Sequence, residues 1–446
     1  MLKSILLLHV AHLTGRLLYV FFALWYLNRF LGIEAKGVWA GLFSLFSILS
    51  VLSNMGFEVW LSRAVAAGNI DRARAQRFLF QTKSGLWLLC WLIGAVLVAN
   101  GAYPALASAA FGVALIFDGI GVAQQAIYEG KSDTPRLAAM SFFKVGGFAI
   151  AAALAAMIVP NPDLDVFAWC FAGVLGLRVC FGQHAWSLLP PEGKPIDPEA
   201  VRSFLFMGAY TLVTVLYFRI DQVMLIPLAG EAAAGNYANA YDLVEGTLFI
   251  SGAVAAVLYP KLVQAEDETR RARLFDTAFA GLTVIGACGV CGMWLFGKPV
   301  GGLLAGEAFD GALPVLYLLA TCLPIMFANG ILSRWLFARN MERFALVTGV
   351  AATLLNMAGN AWAIPRWGAQ GATVMTILTE GFIFVAWLLV GRGSWLLLGR
   401  WLLLLTPLIA VHQSWIRLGT PSAVLVAATC YTPIGVWLIR GWRAET

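Results

Sequence analysis

The sequence predicts an all-α polytopic membrane protein, with two six-helix lobes, two further C-terminal helices and about fourteen transmembrane helices in all. Three observations carry that prediction. Of 446 residues, 60% are hydrophobic and only 12% charged, and the mean hydropathy is +0.80, a composition foreign to soluble domains. The apolar residues come in runs of about 20, the length an α-helix needs to cross a hydrocarbon core of ~30 Å. The runs lack the period-2 alternation of barrel strands, so helices are left to satisfy the backbone in lipid.

The elements follow in order from the breaks between these runs. The first run, 5–28, could begin a signal peptide, but no small-residue cleavage site follows promptly, so it counts as a span. The second, 38–58, follows Gly32 and Lys36, and the third, 79–99, follows the basic string D-R-A-R-A-Q-R. The runs 105–128, 137–159 and 166–187 are separated by the turn residues N-G-A-Y-P, G-K-S-D-T-P-R and N-P-D-L-D. A hydrophilic, proline-rich string, L-P-P-E-G-K-P-I-D-P-E, then leads to 203–228. The second half continues with 237–259, 274–296, 312–333, 343–364 and 369–391, and the chain closes with 394–412 and 421–439.

Charge placement orients these spans. Gaps from odd to even spans hold only Arg29, Lys36, Lys298, Arg366 and Arg417. Gaps from even to odd spans and the termini hold most of the others, notably Arg63, Arg72, Arg74, Arg77, Lys83, Lys261, Arg270, Arg271 and Arg273. The positive-inside rule therefore places both termini in the cytoplasm. The net charge of +6 is explained by this asymmetry, and no nucleic-acid partner is implied.

A shift of 198 residues lays Gly32-x4-Gly37-x-Trp39 onto Gly230-x4-Gly235-x-Tyr237, and Arg63 onto Lys261. Two parallel halves follow, about 1–188 and 203–391, with 394–446 as an appendix. Several of the seventeen Trp, among them Trp39, Trp60, Trp362 and Trp442, lie near span ends and read as interfacial anchors.

The motif inventory points away from an enzyme. Gly230-x4-Gly235 lacks the lysine of a phosphate loop, since Asn236 follows it, and no preceding strand is predicted. There is no G-x-S-x-G and no H-E-x-x-H, and the hydrophilic gaps are too short for a soluble catalytic domain. The seven cysteines all fall in apolar runs; Cys288 and Cys291 form a C-x-x-C inside a small-residue helix, which reads as packing. No bound cofactor or metal is expected.

The chemistry lies in polar residues within the spans, where a charge costs at least ~2.5–3.5 kcal/mol and so faces protein or a water-filled cavity. In the first half, His9, His12 and Arg16 share a face of span 1, Asn54 and Glu58 a face of span 2, and Asp118, Gln125 and Glu129 a face of span 4. Lys144 lies about 10 Å deep in span 5 and Arg178 about 15 Å deep in span 6. The plain reading pairs acid with base, Asp118 with Lys144 for example, to hold the bundle. The functional reading is a wet, slightly cationic cavity in which Arg16, Lys144 and Arg178 receive an anionic headgroup. The second half has the opposite balance: Arg219 stands against Asp221, Asp242, Glu245 and Glu380, with Asn239, Asn329, Asn356 and Asn360 at similar depth. Arg219, Asn239, Asp242 and Glu245 are candidate substrate contacts. Asp221, Asn356, Asn360 and Glu380 offer oxygen ligands for a hard cation.

The run R-I-D-Q-V-M-L, the turn A-G-E-x-x-x-G-x-Y and the following A-x-x-L, within Tyr217–Glu245, resemble the seventh and eighth helices of Wzx-type oligosaccharide flippases. Those belong to the multidrug/oligosaccharidyl-lipid/polysaccharide (MOP) superfamily. The resemblance spans the chain through loose motifs. It implies a secondary transporter of the bacterial inner membrane that rocks two lobes around a central cavity. The implied cargo is an undecaprenyl-pyrophosphate-linked oligosaccharide moved to the outer leaflet, with Na⁺ or H⁺ as coupling ion. In related lipid-precursor flippases spans 7, 11 and 12 flank a cation site, which is where Asp221, Asn356, Asn360 and Glu380 fall. Membrane lipids and other polysaccharide-assembly proteins are the implied partners. A multidrug exporter of the same superfamily is the alternative within transport, and a membrane sugar polymerase or ligase the alternative outside it.

Overall fold

The computed structural model describes residues 14–15, 18, 22–192, 198–392 and 395–445. All regular structure among these is helical. The chain divides into two compact units, Met1–Ala234 and Gly235–Thr446.

In the first unit a π-helical segment, Phe22–Leu31, passes at Gly32 into α1 (Gly32–Asn54). Helix α1 ends where Met55 and Gly56 both take left-handed backbone angles, φ 45° and 79°, and α2 (Phe57–Ala66) begins directly after them. There follow α3 (Arg72–Ala99) and α4 (Ala105–Gly130). Span 5 is a composite of α5 (Thr134–Phe142), a π-helical turn Phe143–Gly147, and α6 (Phe148–Ile158). Helices α7 (Leu164–Phe181) and α8 (Pro198–Ala229) complete the unit. Aspartates cap three of these helices: Asp71, Asp133 and Asp163 accept from the backbone N–H three residues on, which satisfies one of the orphan donors of each first turn.

The second unit holds nearly all of α9 (Glu231–Gln264), then α10 (Glu268–Ala305), α11 (Leu313–Ala320), α12 (Leu323–Ala338), α13 (Glu342–Ala386), α14 (Trp395–Leu418) and α15 (Thr420–Glu445). Among the described residues nine helices are long and apolar enough to cross a membrane. Two of them are double crossings by length. Glu268–Ala320 has 53 residues and Glu342–Gly391 has 50, about 75–80 Å at 1.5 Å per residue, more than twice a hydrocarbon core. A 3₁₀ turn at Gly306–Ala312 divides the first, and Gly368, at φ 54° and ψ −132°, divides the second. With those divisions each expected span from the second to the fourteenth falls on a helix or a broken pair of helices; most of the first, 5–28, lies outside the described residues.

The cores follow from the apolar faces. Phe57, Leu61, Val65, Leu79, Ile127, Met140 and Trp186 close one cluster in the first unit, and Val284, Cys291, Leu295, Val411 and Tyr431 another in the second. Trp39 corrects an expectation. It is not an interfacial anchor but fully buried, stacked on Phe148 at 5.1 Å and edge-on to Phe111 and Phe171. Trp362, in contrast, is exposed beside Trp367. Large apolar side chains such as Leu88, Met157, Leu303 and Leu403 stay exposed, a surface that fits lipid rather than water. The two glycines superposed by the 198-residue shift share one conformation, φ 84° at Gly32 and 86° at Gly230, where only glycine avoids a steric penalty.

Candidate functional site

Asp118 is the hub of the first unit. It lies on α4 about 18 Å along the axis from Gly130, fully buried. Its Oδ1 receives Arg178 Nη1 at 3.0 Å and Lys144 Nζ at 2.9 Å, and its Oδ2 accepts from Ser50 Oγ at 2.6 Å. Arg178, also fully buried, donates its other arm to Gln125 Oε1 at 2.6 Å, while its Nε has no partner. The Asp118–Lys144 pair is the one the plain reading names. Both arms of the Arg178 fork are engaged, one by that same aspartate.

The local sequence explains how three helices reach one carboxylate. On either side of Ile120, α4 carries Gly119 and Gly121. A Cβ on Gly121 would stand 2.9 Å from Arg178 Nη1, and one on Gly119 would meet the Trp87 ring at 3.0 Å. The missing side chains let the guanidinium from α7 and the indole from α3 lie against the α4 backbone. Lys144 is presented by the π-helical turn, a widening that recurs at functional positions in helices. Ser50 and Asn54 share a face of α1, and Asn54 Nδ2 donates to the Ser50 carbonyl at 2.8 Å.

A further cation joins them. Lys83, on α3, is buried, donates to Asn54 Oδ1 and to the Gly119 carbonyl at 3.3 Å, and lies 5.0 Å over the Phe57 ring. Glu58 stands beyond Phe57 with its Oε2 buried and without a partner. Within this cluster three cations, Lys83, Lys144 and Arg178, face two carboxylates, Asp118 and Glu58. An apolar cavity of about 220 Å³ opens between α1, α3 and α4, lined by Leu42, Phe46, Leu49, Trp91 and Leu115 among others. Its lining suits hydrocarbon, and the polar groups gather apart from it around Asp118.

The second unit gathers amides and hydroxyls around one carboxylate. Asn329 on α12 donates Nδ2 to Glu380 Oε2 at 2.6 Å and to the Glu380 carbonyl at 3.1 Å. Asn360 donates to Asn356 Oδ1 at 2.8 Å, and Asn356 to Thr379 Oγ1 at 3.4 Å. Glu380, Asn356 and Asn360 are all buried, and the Oδ1 atoms of Asn329 and Asn360 have no hydrogen-bond partner. One turn before Thr379 and Glu380, Thr376 Oγ1 meets Tyr237 Oη of α9 at 3.2 Å. Among the described residues no group of three or more His, Cys, Asp or Glu gathers as a metal site.

The residues singled out from sequence thus fall into separate places. Lys144 and Arg178 come together on Asp118; Asn356, Asn360 and Glu380 come together through Thr379 and Asn329. Asp221 lies buried on α8 in the first unit, next to Gln222, whose Oε1 accepts from Ser44 Oγ at 2.5 Å. Arg219, two residues earlier, is half-buried. On α9, Asn239 is fully buried and Asp242 and Glu245 half-buried. Arg16, with His9 and His12, lies outside the described residues. Sequence reasoning missed Lys83, counted there with the flanking charges of span 3. A signal existed: Lys83 falls four residues inside the apolar run, and the buried acid sits in D-G-I-G.

The family model described as polysaccharide biosynthesis protein matches residues 1–266, the whole first unit and the length of α9. The chain belongs to the polysaccharide biosynthesis protein family. Solved structures agree on the fold. A structure titled lipid II flippase MurJ, inward closed conformation, superposes with a TM-score of 0.70 at 11% identity, covering 98% of this chain and 100% of that one. An inward-facing multidrug resistance MATE family transporter of the MOP superfamily gives 0.62 at 15%, covering 88% and 94%. A MOP superfamily transporter from Pyrococcus furiosus, its title noting a reversed polarity of the binding pocket, gives 0.53 at 14%, covering 90% and 96%. No curated protein matches the chain. Over its described residues this member of the polysaccharide biosynthesis protein family has the all-helical fold of those structures.

Proposed function

We propose that the protein moves a polyprenyl-diphosphate-linked oligosaccharide from the cytoplasmic to the outer leaflet of a bacterial inner membrane, for cell-surface glycan assembly. Two six-helix lobes alternate access to a central polar cavity. The observation that carries this reading is the excess of cations in the Asp118 cluster, Lys83 and Arg178 buried and Lys144 half-buried, against Asp118 and Glu58. A membrane transporter keeps a net positive charge in an apolar unit at a cost, and an anionic headgroup offsets it. Arg178 and Lys144 then exchange part of their contact with Asp118 for phosphate oxygens, the acceptors a guanidinium fork fits best. The Glu380–Asn329–Asn356–Asn360 cluster, rich in oxygen donors, serves the coupling ion, Na⁺ or H⁺.

The test is flipping of a fluorescent undecaprenyl-diphosphate-linked oligosaccharide in proteoliposomes. Arg178→Gln is expected to lower the rate at least tenfold at normal incorporation; a wild-type rate refutes the reading. The acidic residues Asp242, Glu245 and Glu380 favour a second reading, export of organic cations. Efflux of a cationic dye, with no movement of the lipid-linked glycan, decides for it.

A further inference from the structure

Lys144 and Arg178 each rest on Asp118, but Lys83 does not. Its ammonium carries three donors. It meets the Asn54 amide oxygen, the Gly119 carbonyl and the face of Phe57, all of them neutral. Glu58 and Asp118 act on it electrostatically without ion-pair contact. A buried ammonium whose direct contacts are all neutral is expensive, and an arriving anion relieves that cost.

Its position matters as much as its charge. Asn54 is the last residue of α1 and Phe57 the first of α2, and between them Met55 and Gly56 carry the left-handed break. Lys83 therefore holds both sides of the break at once. A phosphate oxygen is a stronger acceptor than an amide carbonyl, so it competes directly with Asn54 for the ammonium. Glu58, one residue beyond Phe57, opposes an anion there and keeps affinity low enough for release.

We infer that Lys83 is a binding residue for the anionic diphosphate of the cargo, and that its transfer from Asn54 and Phe57 to the phosphate loosens the α1–α2 break. The inference rests on the proposed function for the identity of the cargo, but its test does not need transport. The full chain in nanodiscs is titrated with inorganic pyrophosphate, following binding by calorimetry and amide hydrogen exchange over residues 54–58. In the wild type, pyrophosphate binds and speeds exchange across the break. Lys83→Met is expected to bind at least tenfold more weakly, with exchange at the break already fast and unresponsive. Lys83→Arg retains binding and response, and Glu58→Gln binds several-fold more tightly. Wild-type affinity in Lys83→Met, unchanged affinity in Glu58→Gln, or no binding by the wild type overturns the inference. Should Lys83→Met fail to fold, the Lys83→Arg and Glu58→Gln titrations decide alone. Lys83-dependent pyrophosphate binding in a chain that flips no lipid-linked glycan keeps this site and refutes the cargo. Flipping at the wild-type rate by Lys83→Met does the reverse.

Discussion

Asp118→Asn removes the one charge that Arg178, Lys144 and Ser50 share, and its cost can be worked from the contacts. Both ends of the Arg178 pair are fully buried at 3.0 Å, and stripping one partner from such a pair costs about 3–5 kcal/mol, because the other charge is left uncompensated. Lys144 adds little: its side chain is 36% exposed, so screening holds its share to no more than about 1 kcal/mol. Ser50 keeps an acceptor in the asparagine. The loss is thus dominated by Arg178, about 3–5 kcal/mol, a fall in melting temperature on the order of 10 °C. Thermal unfolding followed by size-exclusion in detergent measures it. The double variant Asp118→Asn/Arg178→Met removes the stranded cation and should recover most of the stability, though not transport, since Arg178 is lost. A single variant that melts within 2 °C of wild type, taken as on the order of the noise, refutes the reasoning. So does a double variant no more stable than the single one, because coupled partners must show non-additive costs.

Other perturbations test other parts. Glu380→Gln should lower transport and flatten its dependence on imposed Na⁺ or pH gradients; proteoliposome rates under each gradient measure this, and an unchanged dependence moves the ion site elsewhere. Gly121→Ala places a Cβ 2.9 Å from Arg178 Nη1, so it should displace the guanidinium and cost about 1–3 kcal/mol, read as a lower melting temperature together with slower flipping. For topology, cysteines at Ala232 should react with an impermeant thiol reagent in intact cells of a cysteine-free background, and cysteines at Ala67 only after permeabilisation. The opposite labelling overturns the assigned orientation.

Hydropathy made the spans legible because each crossing must be apolar over about 20 residues, whatever its neighbours. It also exposed the acids and bases buried within them, so that Asp118, Lys144 and Arg178 could be singled out. It could not assign partners. Arg178 meets Asp118 across 60 residues of chain, through a gap that only Gly121 leaves open. Lys83 was lost because a lysine near a span end looks like a flank, whereas α3 carries it inward onto Asn54. Trp39 misled for the mirror reason: proximity to a span end says nothing about which face of the helix it occupies. The break at Met55–Gly56 falls inside the expected span 38–58, since left-handed backbone leaves no mark on hydropathy. Asp221 and Asn356 share a depth and a chemistry in sequence, yet belong to different compact units.

The seat of α8 beside that break has a mechanical meaning. A Cβ on Gly208 would stand 2.2 Å from the Met55 carbonyl, so bare backbone lies against bare backbone. Successive residues of a helix are about 100° apart, and Gly208 is flanked by Met207 and Ala209. Turning α8 by one position so as to bring Ala209 to this point would drive its methyl into the carbonyl. The glycine works like a keyway: while seated, α8 cannot turn toward Ala209 without a clash. In the proposed transport cycle, a stroke that passes through this contact therefore moves α8 more as a strut than as an axle.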